Sequence, residues 1–251
     1  MKAFPSLRTK GAGAFKVASA PPALRIYAVG DIHGRLDLLD RLAQKLRDDL
    51  RDFPCAQAVT VFLGDYIDRG PGVAGVIERL ASGEFVTPIV TLRGNHEALL
   101  LAFLDDESLF RKWCSTGGLA TLASYGLDMD EPALADSGGA QQALRSALPR
   151  AHLDFLLQTK FSWSCGDYFF CHAGVRPGVP LARQSEHDLM WIRHEFLGSA
   201  AVHEKIVVHG HTPVESPENL DNRINVDTGA YATGVLSCVV LEGCERRFLS
   251  S

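Results

Sequence analysis

The chain has 251 residues, of which 46% are hydrophobic and 22% are charged, and its formal net charge is -5. This composition is typical of a globular protein with one α/β domain or two small ones. The acidic balance argues against broad, nonspecific binding to nucleic acid, which needs a basic face. No apolar run reaches the roughly 18 residues that a membrane span requires.

The N-terminal segment contains basic residues but lacks the continuous apolar stretch of a signal peptide. Its Gly, Ala, Ser and Pro content predicts a flexible tail over 1–22, followed by a single domain over 23–251. The six cysteines show no C-x-x-C spacing, so we expect reduced thiols. These features together predict a cytoplasmic protein.

Three strand–loop–helix units follow one another. Short apolar runs predict strands over 24–29, 58–63 and 87–92. Leucines at helical spacing predict an amphipathic helix from Leu36 to about Asp52, and further helices are predicted over 72–80 and 95–104. Parallel βαβ geometry would bring the three loops that follow the strands to one edge of a sheet.

The second half of the chain changes character. From about 105 to 160 the pattern is helical with glycine breaks, which predicts a helical insertion without a cluster of metal ligands. Later strands are predicted over 161–164, 168–171, 205–208, 224–226, 235–241 and 246–249. These strands predict a second, mixed or antiparallel sheet packed on the first. The expected fold class is α/β, a four-layer sandwich of two mixed β-sheets flanked by helices, with the helical insertion.

Five of these apolar runs end in glycine-containing loops that carry candidate metal ligands. The candidates are Asp31, His33, Asp65, Asn95, His172 and His211. One such loop would be weak evidence, because Asp beside Gly is common turn chemistry. Five are hard to explain as turns. Their mixture of carboxylate, imidazole and amide oxygen suits Mn²⁺, Fe or Zn²⁺. Two ions about 3.5–4 Å apart could clamp the attacking and leaving oxygens of a displacement, with Asp65 as the bridging carboxylate.

The segment Gly64-Asp65-Tyr66-Ile67-Asp68-Arg69-Gly70 indicates the reaction. Its acids suit a hard cation, and the guanidinium of Arg69 matches phosphate oxygens. A hydroxide that bridges two divalent ions is an adequate nucleophile near neutral pH. The leaving alkoxide needs a proton, so we assign His96 as the general acid and Asp68 as the carboxylate that holds its imidazole protonated.

These residues carry a family resemblance. The segments 30–34, 64–70 and 94–97 match the phosphoesterase motifs GDxHG, GDxxDRG and GNHE, and His172-Ala173-Gly174 and Gly210-His211-Thr212 match later histidine motifs. From Gly30 to about Tyr231 the sequence resembles the bacterial PPP-type serine/threonine phosphoprotein phosphatases of the calcineurin-like metallophosphoesterase superfamily. The resemblance implies a β-sandwich core flanked by helices and supports the roles of His96 and Asp68. It also implies one metal held by Asp31, His33 and Asp65, and a second held by Asp65, Asn95, His172 and His211.

Other residues are assigned from the same comparison. Arg193 resembles the arginine of the family's Trp-x-Arg segment and is predicted to bind phosphate with Arg69 and Asn95, although arginine is also common on amphipathic helices. Tyr231 either leans over the site or packs. Asp227 is expected to orient a neighbouring loop. His209 is a competitor for the ligand role, but the Gly-His-Thr match selects His211.

The predicted function is metal-dependent hydrolysis of phosphomonoesters, with phosphoserine or phosphothreonine in proteins as the substrate and Mn²⁺ as the favoured pair of ions. Small phosphoesters are a further substrate class, and no motif for a regulatory subunit is evident. The alternative is a hydrolase of dinucleoside polyphosphates such as diadenosine tetraphosphate, which has the same metal ligands. A third hypothesis, a metal-binding regulatory module without turnover, would fit a chain that had lost a ligand or His96, and this chain has lost none.

Overall fold

A computed structural model describes residues 18–128 and 136–251. The strands in these ranges are β1 (Leu24–Val29), β2 (Gln57–Phe62), β3 (Ile89–Thr91), β4 (Ser162–Cys165), β5 (Tyr168–Cys171), β6 (Ile206–His209), β7 (Glu218–Asn219), β8 (Arg223–Asn225), β9 (Ser237–Glu242) and β10 (Glu245–Ser250). The helices are α1 (Leu36–Asp52), α2 (Val73–Ala81), α3 (Asn95–Asp105), α4 (Phe110–Trp113), α5 (Leu119–Ser124), α6 (Ser137–Ala147), α7 (Arg150–Gln158), α8 (Glu186–Trp191), α9 (His194–Leu197) and α10 (Ala230–Thr233).

The strands form two mixed sheets of five strands each. The first has the order β10-β9-β1-β2-β3, and the second has the order β4-β5-β6-β8-β7. In the first sheet β1, β2 and β3 run parallel, as the three strand–loop–helix units predict. In the second sheet β5, β6 and β8 run parallel between two antiparallel edge strands. Each sheet therefore presents several strand C-termini along one edge, where loops can combine their side chains.

The apolar side chains form layers that fix how the two sheets stack. Tyr27 and Val29 of β1 pack with the buried leucines of α1 on the outer face of the first sheet. Ile26 and Ala28, which alternate with them, face the second sheet and its Phe170. On the far side of the second sheet, a third cluster includes buried residues of α8 and α9. The result is the predicted four-layer α/β sandwich of two mixed sheets flanked by helices.

The two C-terminal strands differ from the sequence prediction, which assigns them to the second sheet. β9 instead pairs antiparallel with β1, and β10 extends the first sheet beyond β9. Residues 237–241 of β9 are buried on both faces, with Val240 in the outer core and Val239 in the layer between the sheets. A strand buried on both faces carries no sequence signal for which sheet it joins, because it lacks an exposed side.

The insertion is helical over its described residues, as predicted. Residues 114–118 form a π-helical turn in which Gly117 has φ of 118°, and this turn joins α4 to α5. The predicted flexible tail lies mostly in residues 1–17, outside the described ranges. Ala18 to Ala20 contact both sheets, since the Ala20 amide donates to the Gly243 carbonyl and the Asp167 amide donates to Ser19. None of the helices in the described ranges is both long enough and apolar enough to cross a membrane.

A buried ion-pair network fastens α1 to the first sheet. The Asp49 carboxylate accepts from the Tyr27 hydroxyl at 2.6 Å, from Arg25 at 3.1 Å and from Arg247 at 2.6 Å. Burial alone would raise the pKa of Asp49, but the hydrogen bonds from Arg247 and Tyr27 outweigh burial and lower it. Asp49 is therefore the shared anion that compensates two cations.

Replacement of Asp49 by Ala is expected to lower the free energy of unfolding by about 3 kcal/mol, because it leaves the buried Arg25 without one of its two carboxylates. Urea titration followed by circular dichroism measures the change. The matched control is Asp48→Ala on the same helix, which removes an exposed pair with Arg51 and should leave the unfolding curve close to wild type. Equal losses for the two variants would contradict the role of the network.

Candidate metal centre and active site

Six candidate ligands lie where loops leave the strands. Asp31 and His33 follow β1, Asp65 follows β2, and Asn95 begins α3 after β3. His172 follows β5 and His211 follows β6 in the second sheet. All six residues are at most 5% exposed. The strand C-termini of the two sheets thus deliver their polar residues to one buried region.

Two groups of ligand atoms form around Asp65. In the first ligand group, atoms of His33, Asp65 and His96 lie within 4.8 Å of one another. His33 Nε2 is 3.5 Å from Asp65 Oδ2, while its Nδ1 donates to the Ile67 carbonyl at 2.8 Å. That hydrogen bond fixes the tautomer and leaves the Nε2 lone pair facing the carboxylate. Burial lowers the pKa of His33 to about 3, so the ring is neutral.

The second ligand group combines Asp65, His172 and His211, whose atoms again lie within 4.8 Å. His172 Nε2 is 3.4 Å from Asp65 Oδ1, 3.1 Å from His211 Nδ1 and 2.9 Å from Asn95 Oδ1. Its Nδ1 donates to the Leu63 carbonyl at 3.0 Å. Burial lowers the pKa of His211 to about 2. Two imidazoles, a carboxylate and an amide oxygen therefore converge.

Asp31 lies beside these groups but belongs to neither. Its carboxylate accepts from the His211 amide at 3.1 Å. Burial raises the pKa of Asp31, and the nearby charges of Asp227 and Asp65 raise it further. Asp227 accepts from the Gly229 amide at 2.8 Å, which fits its predicted role in orienting that loop. Three buried carboxyl groups, those of Asp31, Asp65 and Asp227, therefore lie in one region.

The donor set fits divalent cations. In the second ligand group one ring nitrogen of His172 is fixed by the Leu63 carbonyl, and the other faces His211 Nδ1 and Asn95 Oδ1 at 3.1 and 2.9 Å. A divalent cation can bind such nitrogen and oxygen lone pairs where they converge on one point. Two glycines leave room for the carboxylates, since a Cβ on Gly94 would lie 2.0 Å from Asp65 Oδ1 and a Cβ on Gly210 would lie 2.2 Å from Asp31 Oδ1. Mixed nitrogen and oxygen donors suit borderline ions.

Glu97 holds the loop after β2 in place. Its Oε2 accepts from the amides of Gly94 and Asp65 at 2.9 and 2.8 Å, and its Oε1 accepts from Tyr66 at 2.8 Å and Ile67 at 3.3 Å. Burial and the charge of Asp65 raise the pKa of Glu97 to about 7. The Asp65 backbone has φ of 53°, in the left-handed region that non-glycine residues rarely adopt. The four hydrogen bonds from main-chain amides to Glu97 stabilise that conformation.

Asp68 forms a buried pair with His96, which belongs to the first ligand group. His96 Nδ1 is 2.6 Å from Asp68 Oδ2, and the fully buried Asp68 also accepts from Trp113 and Thr121. Burial lowers the pKa of His96, but the charges of Asp65 and Asp68 outweigh burial and raise it above its ordinary value. A protonated imidazole held by a carboxylate is suited to donate a proton from its other nitrogen.

Arg69 stands beside that nitrogen. Its Nη2 lies 3.2 Å from His96 Nε2, and its guanidinium stacks over the Tyr231 ring at 4.5 Å from the centroid. Tyr231 also meets the His33 ring edge-on at 5.4 Å, so it leans over the site. Arg193 is exposed, and its side chain makes no hydrogen bond or ion pair among the described residues, while its charge contributes to the lowered pKa of His211. Both guanidinium groups are therefore near the site, and that of Arg193 is free to bind an anion.

Two residues of this site, Trp113 and Thr121, were not among the predicted site residues. They reach Asp68 from the insertion, which was expected to lack a cluster of metal ligands. The available signal was the Gly117-Gly118 break, which lies between them and lets the helix turn back toward Arg69. His209 lies outside both ligand groups, and its buried ring packs edge-on against Phe196 at 5.1 Å. That placement agrees with the choice of His211.

Comparison with known proteins adds independent information. The family model described as Calcineurin-like phosphoesterase matches residues 24–235. Bis(5'-nucleosyl)-tetraphosphatase PrpE of Anoxybacillus flavithermus is 26% identical over 241 residues, covering 84% of this chain and 88% of that protein. Serine/threonine-protein phosphatase 2 of Salmonella typhimurium is 28% identical over 222 residues, covering 84% and 90%. A solved structure provisionally described as a diadenosine tetraphosphatase matches with a TM-score of 0.64 at 20% identity, covering 94% and 97%, and this likeness shows the fold alone.

Replacement of Glu97 by Gln is expected to lower the free energy of unfolding by about 3 kcal/mol or more. The new amide group would point a donor at main-chain donors, which leaves buried N–H groups unpaired. Thermal and urea unfolding measure the loss, and Glu84→Gln, at an exposed position, is the matched control. A Glu97 variant as stable as the control would show that the loop does not depend on this carboxylate.

Proposed function

Because this chain belongs to the calcineurin-like phosphoesterase family, whose members are phosphoester hydrolases, we propose that it hydrolyses phosphomonoesters, with phosphoserine and phosphothreonine in proteins as the substrate class. The observation that carries the proposal is the buried pair of Asp68 with His96 of the first ligand group, whose Oδ2 and Nδ1 atoms are 2.6 Å apart. A proton donor at that position is needed most when the leaving group is a basic alkoxide, as in phosphoserine and phosphothreonine.

Two divalent ions are part of the proposal. Asp31, His33 and Asp65 would hold the first, and Asp65, Asn95, His172 and His211 would hold the second. We propose Mn²⁺, while the same donors accept Fe or Zn²⁺. When bound, such ions supply Lewis-acid stabilisation of phosphoryl oxygens and lower the pKa of water. In each of His33 and His172 one ring nitrogen is fixed by a backbone carbonyl, which leaves the other nitrogen available for a metal.

The remaining residues act on the substrate. Arg69 and Arg193 would bind the phosphate oxygens through their planar guanidinium groups, with the Asn95 amide as a further contact. His96 would donate its Nε2 proton to the leaving oxygen and keep its Nδ1 proton on Asp68. Arg69 Nη2 and His96 Nε2 are 3.2 Å apart, so one substrate group can meet both residues.

A second candidate is hydrolysis of dinucleoside polyphosphates. It is favoured by the PrpE relative described above, which aligns over a similar share of the chain. A second observation is the half-buried Trp191, whose ring lies edge-on to His211 at 6.5 Å and nearly parallel to the exposed His187. An accessible indole can stack on a nucleobase.

Purified protein reconstituted with Mn²⁺ is expected to hydrolyse para-nitrophenyl phosphate and phosphoserine peptides, and to lose both activities on chelation. The ratio of kcat/KM for a phosphopeptide and for diadenosine tetraphosphate decides between the two candidates. A larger value for the phosphopeptide supports the proposal, and a larger value for the dinucleotide would replace it. Activity that persists after metal removal would exclude the metal-dependent mechanism. Activity that persists in the double variant Asp65→Asn, Asn95→Ala would exclude it as well.

His96→Asn is expected to lower kcat by about 10²–10⁴-fold, because the leaving oxygen loses its proton donor. Elemental analysis should find the same metal content as in wild type, since the variant leaves the proposed ligands intact. His187→Asn is the matched control, because His187 is exposed and outside both ligand groups. A His96 variant that is inactive only because it has lost its metal would reassign His96 as a ligand.

A further inference from the structure

We infer that the helical insertion positions the general acid: Trp113 and Thr121 hold the Asp68 carboxylate in the orientation that fixes the His96 ring. This inference rests on the proposed function, in which His96 donates the proton. Both residues come from the insertion, 45 and 53 positions along the chain from Asp68. They touch neither the ligand groups nor the substrate region, so they would be positioning residues that act through Asp68.

Thr121 binds Asp68 twice. Its hydroxyl donates to Asp68 Oδ1 at 2.6 Å and accepts from the Asp68 amide at 3.1 Å. The same oxygen therefore fixes the main chain and the side chain of one residue. Thr121 is itself fully buried. A methyl group of the same size would fill the space equally well but could make neither hydrogen bond to Asp68.

Trp113 completes the coordination of the carboxylate. Its indole Nε1 lies 3.2 Å from both oxygens of Asp68, and its ring stacks on Phe103 at 4.9 Å. With Thr121 on Oδ1 and His96 on Oδ2, each oxygen of Asp68 has two donors. Because the carboxylate is fully buried, it needs hydrogen-bond donors to offset the loss of water. Held in this way, the carboxylate fixes the orientation of the His96 ring through its 2.6 Å contact with Nδ1.

The backbone geometry at Asp68 also requires external support. Asp68 and Arg69 are consecutive non-glycine residues with φ of 69° and 68°, in the left-handed region that such residues rarely adopt. Besides the Thr121 contact, the Arg69 amide donates to the Gly117 carbonyl at 3.1 Å. Gly117 has φ of 118°, and a Cβ there would lie 2.9 Å from the Arg69 nitrogen. The insertion therefore holds Asp68 and Arg69 together as one unit, through Trp113, Gly117 and Thr121.

The test exploits the basicity of the leaving group. A proton donor matters little for nitrophenolate and greatly for an alkoxide. We expect Thr121→Val, which keeps the shape and removes both hydrogen bonds, to lower kcat on a phosphoserine peptide by about 10–100-fold with little change in KM. The loss on para-nitrophenyl phosphate should be at least several-fold smaller. Trp113→Phe should give the same pattern, and Thr121→Ser should recover most of the activity.

Two controls separate positioning from general damage. Ser124→Ala removes another hydroxyl of the insertion, which accepts from the Ala74 amide at 2.9 Å. It should lower kcat on both substrates equally or leave both values unchanged. In a His96→Asn background, Thr121→Val should cause no further loss on the phosphopeptide, since residues that act as a unit are not additive. Equal losses of Thr121→Val on both substrates, or full additivity with His96→Asn, would overturn the inference.

A measurement without turnover keeps the inference separate from the proposed function. In histidine-labelled protein, the Nδ1 proton bonded to Asp68 is expected to give a strongly downfield resonance, assigned by its absence in His96→Asn. It should shift or broaden in Thr121→Val and be retained in Thr121→Ser. If this resonance responds as expected in a protein that hydrolyses no phosphoester, the inferred positioning stands and the proposed function fails. A resonance that is the same in wild type and Thr121→Val would exclude the positioning role.

Discussion

The carboxylate of Glu97 is the interaction on which the rest of the site depends. It lies on the first turn of α3, yet all four of its hydrogen bonds go to main-chain amides, three of them in the loop after β2. Hydrogen bonds to the main-chain amides of a loop fix its path directly. Hydrogen bonds to its side chains would leave those side chains a choice of rotamer. The loop can therefore hold Asp65 in a left-handed conformation with its carboxylate between the two ligand groups. The strands bring the loops to one edge of each sheet. Glu97 then joins the loop after β2 to the loop after β3.

Much of this arrangement could be predicted because it is encoded locally. The hydrophobic spacing of α1 and the apolar runs of β1 and β2 are periodic, and β1 and α1 have the predicted boundaries. The six proposed ligands could be recognised because each follows directly on such a run. The C-terminal strands were assigned to the wrong sheet, since β9 is buried on both faces and pairing partners far apart in sequence leave no local pattern. The roles of the ligands remain predictions, although their convergence is observed.

The insertion shows the limit of the same reasoning. Trp113 and Thr121 look like ordinary helical residues, and a tryptophan in an apolar stretch usually indicates core packing. Their indole and hydroxyl groups gain meaning only when the π-helical turn brings them against Asp68, a contact that no spacing rule contains. The pairing of Asp68 with His96 was expected. The complete burial of Asp68, and with it the need for further N–H and O–H donors, is visible only in the structure.

The second ligand group also joins the two halves of the molecule. Asp65 belongs to a loop of the first sheet, whereas His172 and His211 belong to loops of the second. The other contacts between the sheets are largely apolar. Any cation held by this group would therefore link the two sheets, and it would stabilise the folded state by an amount that rises with the logarithm of its free concentration above its Kd. The supply of free metal would then enter the folding equilibrium of the chain, and starvation for the ion would loosen the sandwich itself.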